Sequence, residues 1–275
     1  MKKIQLAGLT ILLLFVTVVI SAQSNPPEQL TVVLSNPGKP YTLKLGLLNG
    51  SIKVSGYGGK DIVVEVSSNE KNKTAGTEDA GNGMKRIFPG SNYEVTAREE
   101  DNVVFINSDH NKHISLILKI PQDVKKLIVS TVNDGIIEID NVKGELEVNN
   151  VNGAIRLTNI SGSAVASTVN GEVLANFNSV DASAAMAFTT LNGTVDVTFP
   201  ANAKSNLKLK SDRGEIFTDF DVVIEKSAQG PVKITESGMQ KLRLDDWIMG
   251  KINGGGPQIL MKNMNGNIYL RKAKS

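Results

Sequence analysis

The sequence predicts an all-β protein: a single-domain parallel β-solenoid of the β-helix or β-roll kind, with coils of about 18 residues, behind a signal peptide. Three observations carry this. Gly135, Gly144, Gly153, Gly162 and Gly171 recur at nine-residue intervals. Between them apolar and polar residues alternate, and each unit ends in a cluster of Asn, Asp, Thr and Ser. A constant period this short means one small unit stacked on copies of itself.

Residues 1–22 read as an export signal. Lys2 and Lys3 give a positive start, Ile4 to Ile20 is apolar apart from Gln5, Thr10 and Thr17, and Ser21-Ala22-Gln23 offers cleavage after Ala22. An uncleaved anchor is the alternative, since the apolar run nears the low end of a membrane span, about 17 residues. Residues 23–40, including Pro26 and Pro27, form a linker and N-terminal cap. Residues 41–275 form the repeat domain.

A first loose coil runs through Tyr41, Leu43, Leu45 and Leu48-Asn49-Gly50 into Ile52 and Val54. Residues 68–112 then break the pattern with a polar, Gly-rich excursion. Strand character resumes at Val103 to Ile106 and again at Ile114 to Leu118. Leu127, Val129 and Val132 lead into the strict repeats.

In those repeats, counted from each glycine, position 3 holds Ile137, Leu146, Ile155, Ala164 and Val173. Position 5 holds Ile139, Val148, Leu157, Ala166 and Ala175. Apolar residues two apart with Glu138, Glu147 or Arg156 between them mark a strand with one face buried. Position 8, with Val142, Val151, Ile160 and Val169, is expected to be a second inward point beyond a bend. The bend residues, such as Asn141, Asn150, Asn159 and Asn170, tolerate a left-handed backbone, and the following glycine supplies positive φ without steric cost.

Asn-Gly is also the strongest hairpin signal, so an antiparallel meander competes. Constant spacing favours the solenoid, in which each residue sits above its copy in the next coil. Val151-Asn152-Gly153 and Val169-Asn170-Gly171 lie eighteen apart, which makes two nine-residue units one coil with two strand-bearing sides. Glu138 and Arg156 are then neighbours on adjacent parallel strands.

Downstream copies are longer. Met186, Phe188 and Leu191-Asn192-Gly193 enter Val195, Val197 and Phe199. Leu207 and Leu209 lead to Gly214 and Ile216. A second irregular stretch, about 221–256, contains Trp247 and ends at Gly254-Gly255-Gly256-Pro257. Ile259, Met261 and Met264-Asn265-Gly266 then give Ile268 and Leu270. Arg271, Lys272 and Lys274 on the last strand suit an edge that must resist pairing with another chain.

Composition removes several classes of function. There is no cysteine, so no disulfide framework, thiolate metal site or lipid-bearing cysteine is available. The chain has 30 Lys and Arg against 28 Asp and Glu. Without Lys2 and Lys3 the balance is zero, which argues against nucleic acid and against an anionic membrane surface as partners.

Several sequence stretches together resemble the DUF4097 family. They are the serial Val-Asn-Gly repeats, Thr198-Phe199-Pro200-Ala201, Ser211-Asp212-Arg213-Gly214-Glu215-Ile216 and the ending from Ile252 to Arg271. These are bacterial β-strand-repeat proteins carrying the label "putative adhesin", and the version here looks like those of Bacteroidetes. The resemblance covers roughly residues 40–272. It implies a β-solenoid-like fold and an envelope location, and brings no catalytic residues.

Candidate chemistry is sparse. The repeats lack the recurring carboxylates of calcium-binding β-rolls, since Asp140 has no copies at the equivalent positions. His110 and His113 form a His-x-x-His pair without a patterned third ligand, which favours an exposed loop. Glu99-Glu100-Asp101 and Asp245-Asp246 are the acidic clusters that glycan cleavage would need. They read better as solvated turns. The Gly254–Gly256 run precedes Pro257 and opens no helix, so it reads as a turn rather than a phosphate loop. The stacked asparagines are expected to bond to one another and to the backbone of the turns.

No catalytic residue, cofactor site or metal site is therefore assigned. The expected function is that of a non-enzymatic exported envelope protein, in the periplasm or at the cell surface. It would act as an adhesin or interaction scaffold toward a surface, glycan or protein. The alternatives are a carbohydrate-active β-helix enzyme, with Glu100 or Asp245 in its site, and an envelope-stress accessory acting through a protein partner.

Overall fold

The computed structural model describes residues 28–68, 78–79, 85–86, 94–108, 113–225, 232–236, 239–243 and 247–274. These residues are all-β, with no helix among them. The expected signal segment lies outside the described residues.

Two rows of strands face each other across one core. The first row runs Val95–Glu100, Val103–Ser108, Tyr41–Asn49, Asp123–Asn133, Lys143–Asn149, the second half of Ile155–Asn170, Met186–Asn192, Gln258–Asn263, Ser205–Ser211, Ile248–Ile252 and Val222–Glu225. The second runs Glu28–Val32, Ile62–Ser68, Ile114–Pro121, Ile52–Tyr57, Ile137–Asp140, the first half of Ile155–Asn170, Val173–Val180, Val195–Phe199, Ile268–Lys272 and Ile216–Thr218. A rung is one strand from each row.

The sheet is mixed rather than wholly parallel. Central neighbours are parallel, because a strand in the opposite row serves as the crossover that parallel pairing requires. Both ends add antiparallel strands instead, reached by short reversals. At one end Asp101 and Asn102 both have positive φ (52° and 60°) between Glu100 and Val103, as a type I′ hairpin turn demands.

Ile137 pairs with Ile155 and Ile155 with Val173, so the eighteen-residue coil holds here. The next step, Val173 to Val195, is longer because residues 181–185 loop out. The rungs are also stacked out of chain order. Tyr41–Tyr57 lies inside 103–121, and 258–272 is inserted between 186–199 and 205–218. The last strand is thus not an edge, contrary to the sequence expectation. Arg271 is committed to a fork on Asp196, at 2.7 and 2.9 Å.

The two corners of a rung are built differently. At one, Asn141 and Asn159 take φ of 58° and 55°, and Val142 and Ile160 turn inward and are buried. At the other the chain turns one residue sooner. Thr131, Asn150, Thr168 and Thr190 point inward and donate to the carbonyls of Gly50, Gly135, Gly153 and Gly171 at 2.8–3.0 Å. The following residue therefore faces outward: Val151 is half-buried and Val169 is 37% exposed. Position 8 is inward at alternate units only, which corrects the uniform expectation. Gly153 is required at this corner. Its φ is +157°, and a Cβ would lie 1.9 Å from the Gly135 carbonyl oxygen.

Core volume is balanced between rungs. Ala164, Ala166 and Ala175 are matched by Phe177, Phe188 and Phe199, whose rings pack at 5.1–6.2 Å between centroids. Burying one aliphatic or aromatic side chain contributes about 1.5–3 kcal/mol. Outer-face charges add far less. Glu138 and Arg156 do sit side by side at 3.8 Å, and Arg156 reaches Glu172 at 2.7 Å.

Candidate functional site

The largest groove, about 620 Å³, lies over the first corner of the central rungs. Its floor is made of small residues from consecutive strands, Gly144, Gly162, Ser161, Ser163 and Ala164. They stack because Lys143–Asn149 pairs in register with residues 161–167. The loop after Val180 forms one wall. It is pinned where Asp181 N–H donates to Gly162 O at 2.9 Å and where Asp181 Oδ1 accepts from Ser183 N–H (2.8 Å) and Oγ–H (2.7 Å). Those bonds, the hydroxyl first, hold the Asp181 carboxyl below the usual carboxylate range.

The opposite wall carries Lys125, Lys143 and Glu145. Lys143 pairs with Asp123 at 3.1 Å. Lys126 bridges Glu145 and Glu147 at 2.9 and 3.0 Å, which raises its pKa above that of an ordinary lysine. The groove thus combines hydroxyls, one ionised carboxylate and ammonium groups around a shallow floor. That arrangement can hold a polar, polyhydroxylated ligand by hydrogen bonds. It holds no nucleophile–base pair.

A second surface feature lies on the outer face of the other row. Phe217 stacks on Tyr269 at 5.1 Å, and the Arg271 guanidinium lies over the far side of that array, 4.8 Å from the Tyr269 ring. Parallel pairing of Ile216–Thr218 with Ile268–Lys272 puts these rings one above the other.

A third is the outward corner row created by the early turn. Leu48, Val169, Leu191 and Met264 are exposed there, each followed by an asparagine. The asparagines form a chain of amides. Asn170 donates to Asn152, Asn192 to Asn170 and Asn265 to Asn192, at 2.7–2.8 Å. They bond to one another, as the sequence led us to expect.

The other sequence candidates fall apart as chemistry. Glu99 accepts from Ser35 N–H (3.0 Å), Ser35 Oγ–H (2.7 Å) and Asn102 N–H (2.9 Å), so it ties a loop to the hairpin turn. The Ser35 hydroxyl, the largest influence, lowers its pKa. Glu100 pairs with Arg98 at 3.2 Å. His113 is exposed, whereas His110, Asp245 and Asp246 lie outside the described residues. Among the described residues no three His, Cys, Asp or Glu cluster as a metal site would need.

Gly254 and Gly255 have φ of 89° and 88°. They reverse the chain so that it crosses the start of Ser205–Ser211, where Ser205 Oγ–H donates to Pro257 O. The sequence reading as a turn holds. Trp247 is half-buried, with Lys208 Nζ 4.6 Å from its ring centre. Missed from sequence was the groove itself. Its one legible signal is Val124-Lys125-Lys126-Leu127, where two polar residues interrupt a strict alternation.

Stacked rungs with polar corners and an all-β core define a β-solenoid-like domain. Among the described residues no helix is long and apolar enough to cross a membrane. The Toastrack DUF4097 family model matches residues 130–271, just over half of the 275 residues, and the chain belongs to that family.

Three crystal structures are similar. A "putative cell adhesion protein" from Clostridium sporogenes is 12% identical with a TM-score of 0.45, covering 90% of this chain and 100% of its own. A "putative adhesin" from Bacteroides fragilis is 9% identical with a TM-score of 0.30, covering 91% and 98%. Another from Parabacteroides merdae is 9% identical with a TM-score of 0.27, covering 91% and 98%. No curated protein matches the sequence.

Proposed function

We propose that this chain is a non-enzymatic, exported cell-envelope protein. It acts as an adhesin or interaction scaffold through the repeated outer surface of a two-sided β-solenoid. In this reading residues 1–22 are a cleaved signal peptide, 23–40 a linker and N-terminal cap, and 41–275 the scaffold. The domain sits in the periplasm or outside the cell and holds a surface polymer, glycan or protein.

The observation that supports this best is the outward corner row. Leu48, Val169, Leu191 and Met264 have no interior role, yet they recur rung after rung beside a continuous line of amides. An exposed apolar stripe rimmed by polar groups is the usual mark of a contact surface.

The test is retention of the exported chain on isolated envelopes of a bacterium that produces it. A control carries Asp at Val169 and Leu191, both outward, so folding is spared. Retention by the wild type and loss in the double variant are expected. Equal retention of both forms, or none for either, defeats the proposal.

A further inference from the structure

Two features of the central groove have no part in holding the fold together. The first is Lys125. Register with both neighbouring strands jumps between Asp123 or Val124 and Lys126, which makes Lys125 the extra residue of a β-bulge. Bulges re-aim a side chain and gather next to functional sites. Lys125 lines the groove, and unlike Lys126 and Lys143 it has no ion-pair partner among the described residues.

The second is Ser163. It is only 7% exposed, it lines the groove, and its hydroxyl has no hydrogen-bond partner among the described residues. A hydroxyl buried without a partner is unfavourable, and native proteins rarely keep one without a use. A ligand in the groove can reach it. Ser161 and Ser179 add two more hydroxyls to the same lining.

Facing them, Asp181 Oδ1 takes both Ser183 bonds, which leaves Oδ2 to accept from a ligand. The set is therefore one unpaired cation, several hydroxyls and one carboxylate acceptor, in a volume suited to a small saccharide segment. A nucleic acid does not fit, because Asp123, Glu145 and Asp181 would repel a phosphate chain and only one cation is uncommitted. An apolar peptide finds little here, since the floor is hydroxyl and glycine.

We propose that this groove binds an acidic polysaccharide built of uronic acids. Lys125 meets a sugar carboxylate, while Ser161, Ser163 and Asp181 exchange hydrogen bonds with ring hydroxyls. This deepens the scaffold reading and rests on it.

The experiment is titration calorimetry of the exported chain with polygalacturonate and alginate, with dextran as the neutral control. Both uronate polymers bind and dextran does not. Lys125→Gln weakens binding about tenfold or more, as loss of a charged hydrogen bond does. Ser163→Ala weakens it several-fold, about the effect of one neutral bond, and leaves the thermal midpoint unchanged or higher because an unpaired hydroxyl is gone.

Undiminished uronate binding by both variants overturns the site, and equal binding of dextran overturns the acidic-sugar class. Absence of binding to both uronates overturns the inference outright. Envelope retention is then read separately: if it persists, the scaffold reading survives without this ligand; if it too is lost, both fall.

Discussion

Asn170 donates its side-chain amide to Asn152 at 2.8 Å, one coil below, while its own carbonyl oxygen accepts from Asn192 at 2.8 Å. Each amide is thus donor to one rung and acceptor to the next, which only Asn at this corner can do with that reach. Asn170→Asp removes the donor and keeps the acceptor. The expected loss is about 1 kcal/mol, the net worth of one such bond, read as a lower urea midpoint with unchanged slope. Asn170→Ala gives a similar figure, and a neutral result for both would mean the line of amides is only surface decoration.

The inner polar row is expected to matter more. Thr168 Oγ–H donates to Gly153 O at 2.9 Å from a buried position. Thr168→Val keeps the shape and strands that carbonyl, at a cost of about 1–3 kcal/mol. Thr168→Ser restores most of it. If Val and Ser behave alike in denaturant titrations, the hydroxyl is not the contact that counts.

Val151 and Ile155 look equally internal in the sequence, and the structure separates them. Ile155 is 0% exposed, while Val151 faces outward at the corner and is only half-buried. Ile155→Ala is expected to cost about 2–5 kcal/mol and Ile155→Asp to prevent folding. Val151→Asp should be tolerated, with circular dichroism and thermal midpoint near wild type. The nine-residue period was readable because glycines and apolar pairs mark it. The alternation of turn type was not, since Thr, Asn and Ser suit either direction and burial alone decides.

Acid should loosen the hairpin end first. The pKa of Glu99 is depressed by its bonds from Ser35 and Asn102. A depressed carboxyl contributes stability above its unfolded-state pKa, and that contribution is lost as pH falls through the lower folded value. Glu99→Gln is therefore expected to lower the denaturation midpoint near pH 7 and to change it little near pH 2, about two units below an unperturbed carboxyl. Equal effects of the substitution at both pH values would remove Glu99 as the source.

The groove was legible only in hindsight from the break at Lys125-Lys126. Ser161, Ser163 and Ser179 are indistinguishable in sequence from any exposed turn serine. Their juxtaposition arises because residues 161–167 lie directly over Lys143–Asn149 and the 181–185 loop folds back on Gly162. The rung order was hidden for a similar reason. Met186, Ile259 and Leu207 occupy equivalent places on three adjacent strands, as do Val195, Ile268 and Ile216. Equivalent apolar patterns stack equally well in any order, so only the connections settle it.

That order has a measurable consequence. A chain end is ordinarily where structure frays and exchange is fast. Here Ile268–Lys272 lies between two parallel neighbours, Val195–Phe199 and Ile216–Thr218, and Ile268 and Leu270 are 0% exposed. Its amides can open only when the rungs on both sides part. Hydrogen exchange should therefore find Ile268 and Leu270 as protected as Ile155 in the central rungs. Strand Val222–Glu225, an outer edge despite its earlier place in the chain, should exchange far faster. Ile268→Asp should accordingly unfold the domain, as Ile155→Asp does. Fast exchange at Ile268, or a folded Ile268→Asp protein, would return the last strand to the edge position that its lysines and arginine first suggested.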